Sequence, residues 1–204
     1  MSRIIGVPHD DGISDAFKVS ITQNMGKAGH VTVVGYLTEG SSVALSSIWE
    51  SPFQGDHIGA IQALDKAVKV YQWQSSETLK TQANSASIWE GTEPPQIPLA
   101  LYFHAYTDAK KQVNDPLTVL KQMASPELAE VVPVSLDDAI IGREPQDAIF
   151  DIGRRIKIKM RIHDVQYDLN LPKTNDGYFA YQTVTLTASP KGMINRSQIP
   201  QYFT

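Results

Sequence analysis

Residues 154–165, RRIKIKMRIHDV, decide the fold class. Ile156, Ile158, Met160 and Ile162 occupy alternate positions, with Arg155, Lys157, Lys159 and Arg161 between them. Side chains of a strand point alternately to its two faces. A period of two sustained this long predicts a β-strand with one apolar and one charged face. The same signature recurs on the N-terminal side. In IPLALYFHAY, Leu99, Leu101 and Phe103 alternate with Ala100, Tyr102 and His104, which reads as a core strand. In FKVSIT, Phe17, Val19 and Ile21 share one side and Lys18, Ser20 and Thr22 the other. HVTVVGYLTEG and SSVALSSIWES follow as strand candidates, the second with Val43, Leu45 and Trp49 on one face. Glycine-containing turns between such runs point to antiparallel pairing. KAVKVYQWQ and SASIW are further strand candidates, and KTNDGYFAYQTVTLTAS supplies a turn at Asn175–Gly177 with a strand through Leu186.

Two segments carry helical spacing. SPFQGDHIGAIQALDKA is weak, because Gly55 and Gly59 both oppose a helix. TDAKKQVNDPLTVLKQMAS is stronger, since Val113, Leu117, Leu120 and Ala124 form one apolar stripe. Pro116 fits the first helical position behind an Asp115 cap, preceded by a short turn over 108–114. One helix running through 116 with a kink is the other form it can take. The resulting organisation is an N-terminal arm over 1–15 and a single β-rich domain over 16–204. A long, acidic loop excursion at about 126–150 interrupts that domain. The expected fold is mainly β, with about seven or eight strands and one or two short helices packed on them.

Composition narrows the function. The 204 residues suit one large domain better than two, and 42% apolar with 20% charged residues excludes a disordered chain. A net charge of −4 disfavours a nonspecific nucleic-acid coat. The absence of cysteine excludes disulfides, thiolate metal sites and cysteine nucleophiles. The N-terminus MSRIIGVPHDDG has no apolar core of a signal peptide, and no run approaches 18 apolar residues. A soluble protein made in the cytoplasm is therefore the expectation.

Catalytic patterns are sparse. Histidines 9, 30, 57, 104 and 163 are scattered, and none shows the spacing that places two metal ligands on one face. Asp10–Asp11 and Asp137–Asp138 fall in expected loops, and neither a phosphate loop nor a G-x-S-x-G elbow occurs. No enzyme, metal or cofactor is expected. Trp49, Trp73 and Trp89 read mostly as core anchors, with an exposed sugar-binding cluster as the alternative. The constellation that remains is the basic row Arg155, Lys157, Lys159 and Arg161, about 20 Å long on one strand face. A solvated face, a subunit interface and a nucleic-acid stripe are its three readings. The strand lacks the interleaved aromatics of a single-strand platform.

Over residues 86–126 the chain resembles structural proteins of contractile bacteriophage tails, namely baseplate hub and tail-tube initiator or adaptor proteins. The residues that carry the resemblance are Trp89, Gly91, Thr92 and Pro94, then Leu99, Leu101 and Phe103, then Val113, Pro116 and Leu120. A looser similarity covers 150–190. The resemblance implies a β-sandwich or split barrel of tail-tube type that forms rings, commonly hexameric, around the tail axis. Such a ring would connect the baseplate hub to the tail tube and initiate tube assembly. The implied partners are copies of itself and neighbouring tail proteins, without a membrane and without specific DNA binding, although DNA could pass through the lumen. The implied location is the virion, after assembly in the host cytoplasm. A carbohydrate-binding β-sandwich for host recognition is the alternative. A small hydrolase would need His57 or His163 to meet an acid and a nucleophile in a cleft.

Overall fold

The computed structural model describes residues 3–8, 10–50, 87–126 and 144–203. The chain divides into two compact units, Met1–Leu45 with Pro94–Thr204, and Ser46–Glu93, a division absent from the sequence reading. The first unit holds β1 (Arg3–Gly6), β2 (Lys18–Asn24), β3 (His30–Leu37), β6 (Ile97–His104), α1 (Asp115–Ala124), β7 (Ala148–Ile152), β8 (Ile156–Tyr167), β9 (Tyr181–Ser189) and α2 (Ile199–Tyr202). The second holds β4 (Ser47–Glu50) and β5 (Ile88–Thr92), an antiparallel pair with a bulge between Ile48 and Trp49. The fold is mainly β, as expected. The expected strand at 66–74 and helix at 51–67 lie outside the described residues, as does most of the 126–150 excursion.

Six strands of the first unit close into a barrel in the order β3-β2-β7-β8-β9-β6, every neighbouring pair antiparallel. Closure comes from β6 returning to β3 through Tyr36–Tyr102 and Leu37–Leu101. The seam continues as the Thr38 and Ser42 N–H groups donate to the Ala100 and Pro98 carbonyls, each at 3.0 Å. Inward positions are mostly apolar, among them Ile21, Val33, Phe103, Phe150, Met160 and Leu186, with Gln23 and Gln182 as buried polar exceptions. The alternation read in β6, β8 and β9 is therefore the inside–outside pattern of a barrel.

Gly35 and Gly153 are among the glycines that the geometry requires. Gly35 sits on β3 just before the seam, and a Cβ there would lie 3.0 Å from Phe103 Cζ and 3.3 Å from Leu101 Cβ. Its missing side chain lets the β6 ring lie against the β3 backbone. Gly153 and Arg154, with φ of 58° and 59°, form the tight turn between β7 and β8, where both central residues are left-handed. A Cβ on Gly153 would meet the Ala16 carbonyl oxygen at 2.7 Å. The Arg154 guanidinium is held by Asp15.

Three expectations change. Residues 3–6 are not an arm but the sheet strand β1, parallel to β3 over Val31–Val34. Ile5 and Val7 are buried, which holds this strand in place. Residues 148–152 belong to β7 rather than to the loop excursion. Asp115 is not a cap. Its φ and ψ are helical, and its N–H donates five residues back to the Lys110 carbonyl. Residues Lys110–Asn114 are a π-helical turn that runs straight into α1. Proline at 116 cannot donate to the carbonyl four residues earlier and its ring crowds that carbonyl. The wider turn accommodates it. Asp108 is the residue that caps the start, accepting from the Lys111 N–H at 3.1 Å, and that hydrogen bond holds its carboxyl below the usual value. Val113, Leu117, Leu120 and Met123 point from this helix into the core.

Gly35→Ala is expected to lower stability by about 1–3 kcal/mol through overpacking, measured by urea unfolding. Adding Phe103→Leu should recover part of the loss. Asp108→Ala is expected to lower the urea midpoint more than Asp115→Ala, and the opposite order would place the helix start at Asp115.

Candidate interaction surfaces

The basic row keeps its face but not its uniformity. Lys157 and Lys159 are exposed on the outer side of β8, with Ile158 and Met160 buried beside them. Arg155 is also exposed, in the turn before β8. Arg161 is neutralised: its Nε bonds Asp147 at 2.7 Å and its Nη2 bonds Glu144 at 2.9 Å. These hydrogen bonds, Asp147 first, raise its already high pKa. Across the ladder Lys157 faces Asp151 and Lys159 faces Ile149. The C-terminal segment returns to this side of the sheet, where Phe203 bridges to Ile156. Between the segment and the sheet lies a groove of about 500 Å³, lined by Ile149, Lys157, Lys159, Pro190, Met193 and Tyr202, among others.

A second cluster fastens the N-terminal segment to the barrel. Lys18 lies on the polar side of β2, yet its side chain is only 4% exposed and that of Asp11 only 5%. Lys18 Nζ bonds Asp11 Oδ1 at 2.7 Å and the Pro8 carbonyl at 3.2 Å. The Tyr36 hydroxyl donates to the other Asp11 oxygen at 2.5 Å and lies 3.3 Å from the Tyr106 hydroxyl. Burial by itself would raise the Asp11 carboxyl. Hydrogen bonds from Lys18, Tyr36 and the Ile13 N–H outweigh it and hold the pKa at about 2. The Tyr36 phenol is pushed up, by burial first and then by the Asp11 carboxylate it serves. Asp11 is therefore an anchor, where the sequence reading expects an acidic loop residue. The neighbouring Phe17, expected on the apolar face, stands 63% exposed in a short 3-10 turn.

Among the described residues, His30, His104 and His163 lie at separate places. His30 opens β3 on the surface, and His104 packs edge-on against Tyr106 at 4.9 Å, its buried Nδ1 without a hydrogen-bond partner among the described residues. His163 Nε2 lies 2.6 Å from Ser189 Oγ on an exposed face. His9 and His57 lie outside the described residues. Among the described residues no three His, Cys, Asp or Glu side chains are placed to hold a metal ion.

The family-like residues separate into two groups. Trp89, Gly91 and Thr92 lie on β5, where Trp89 sits opposite Trp49. Trp49 and Trp89 are 61% and 52% exposed, so neither is the core anchor expected of it. Trp73 and the Asp137–Asp138 pair lie outside the described residues. In the first unit, Pro94 precedes β6, while Leu99, Leu101 and Phe103 are its inward residues. Val113, Pro116 and Leu120 are buried along the π turn and α1. No protein-family model matches the chain, and no curated protein matches its sequence.

Removing Lys18 should be costly, because it leaves the Asp11 charge buried without its partner. Lys18→Met is expected to destabilise by about 3–5 kcal/mol at neutral pH. Asp11 has a depressed pKa, so its contribution is complete above the unfolded value of 3.8 and is lost as pH falls through about 2. Unfolding measured from pH 6 down to pH 2 should show the gap between wild type and Asp11→Asn narrowing below pH 4.

Proposed function

We propose that this protein is a structural component of a contractile phage tail, a ring-forming adaptor that joins baseplate hub to tail tube and initiates tube assembly. One observation carries this reading: the residues of the phage-like pattern in the first unit, Pro94 apart, lie on the strand that closes its barrel and on the helix packed against it. Leu99, Leu101 and Phe103 lie on the closing strand, while Val113, Pro116 and Leu120 lie on the helix. Closure by two residue pairs, with the seam then carried by loop hydrogen bonds, suits a split barrel of tail-tube type. Its neighbours are copies of itself, six in the commonest arrangement, and the adjoining baseplate and tube proteins. Its work is assembly rather than catalysis, without cofactor or membrane, and its place is the virion.

The paired indoles of Trp49 and Trp89 favour a second reading, a module that stacks on host glycans. One set of measurements separates the two. Under the adaptor reading, light scattering of the purified chain gives a multiple of the monomer mass, and negative-stain images show rings. A monomer whose tryptophan fluorescence is quenched by cell-surface glycans would replace that reading with the second.

A further inference from the structure

We propose that the lysine-rimmed groove on β7 and β8 receives the exposed loop after β3 of a second copy, joining copies head to tail. This contact rests on the ring-forming reading above. Both surfaces belong to the same compact unit. In the barrel order β3-β2-β7-β8-β9-β6, the β7–β8 pair stands opposite the β3–β6 seam from which the loop emerges.

The groove is apolar with a cationic rim. Ile149 and Met193 remain 38% and 56% exposed within it. Lys157 and Lys159 lie two residues apart on one strand face, and neither forms an ion pair among the described residues. The loop is its complement. Val43 and Leu45 are 45% and 51% exposed, and the bridge between Ala44 and Gln96 fixes the chain between them in extended form. Residues two apart on extended chain share a face, so both apolar side chains are presented together. Glu39 stands exposed at the start of the loop, with no ion pair among the described residues.

Charge decides how two copies meet. Pairing groove against groove would set Lys157 and Lys159 against themselves, whereas groove against loop sets them toward Glu39. The contact is therefore between unlike surfaces. Unlike surfaces on opposite sides of a subunit generate a row, which closes into a ring when the rotation per copy allows.

The test uses the full chain in three forms: wild type, Lys157→Glu with Lys159→Glu, and Val43→Asp with Leu45→Asp. Circular dichroism checks folding, and Glu39→Lys replaces the loop variant if that variant unfolds. The expected result is an assembled wild type and two variants that fall to monomer mass. Mixing the groove variant with the aspartate loop variant one to one should give dimers and nothing larger, since one sound groove meets one sound loop. With Glu39→Lys as the loop variant the exchanged charges pair as well, and larger assemblies should return. A chain combining Glu39→Lys with Lys157→Glu and Lys159→Glu should assemble again. Variants that assemble like wild type would overturn this contact and leave the ring reading standing. A mixture that stays monomeric would also overturn it. A monomeric wild type would remove the ring reading and this contact together.

Discussion

Closure of β6 onto β3 is the constraint on which the larger unit depends. An open six-stranded sheet would leave two rows of unpaired backbone groups, and the seam satisfies them. It is short, because the first half of the same β3 edge is already taken by β1. Gly35 marks the changeover, and the Phe103 ring occupies the space its absent side chain leaves. Once the barrel is closed, the direction of every alternating residue is determined. That is why Ile158 and Met160 are buried while Lys157 and Lys159 are displayed.

Buried polar groups around this barrel act as joints. Gln112 is buried at the junction of β6 and the helix, and its Oε1 accepts from the N–H groups of Tyr106, Thr107 and Asp108. One side chain thereby satisfies the amides of a turn that has no strand partner. Gln23 points inward from β2, and its Nε2 donates to the Met123 and Gln146 carbonyls, tying helix and sheet together. Lys18 and Asp11 do the same for the N-terminal segment. The Gln23 joint connects elements distant in sequence, whereas the Gln112 and Lys18 joints fasten segments close to them along the chain.

The strands legible in the sequence are those whose alternation survives at full length. In β8, inside and outside residues differ as strongly as side chains can, and its facing was readable down to single residues. β6 and β9 follow it, although Ala100 is covered on its outer face as well. Two strands were not legible. β1 is four residues beside a glycine and a proline, and its parallel pairing leaves no hairpin signal. β7, AIFDI, is short and follows a stretch of acids and prolines with no period. Lys18 misleads because its position is outward and polar, yet the segment folding over it is set by tertiary contact. The basic row was visible as a pattern. The groove beside it was not, since residues 190–202 supply its other wall after a separation that no local period encodes. Trp49 and Trp89 show the limit of composition, because residue type says nothing of whether the face of a strand pair is covered.

The parallel pairing of β1 with β3 gives the protein a detachable guard. Because β1 is joined to β2 by a segment pinned through Asp11, cleavage between Gly6 and Asp11 would free the first strand while the anchor stays in place. The backbone of Val31–Val34 would then face solvent along an edge rich in valine. Such an edge is a template for adding foreign strands. Proteolytic loss of this strand would thus expose a seed for aggregation and also take the buried Ile5 out of the core.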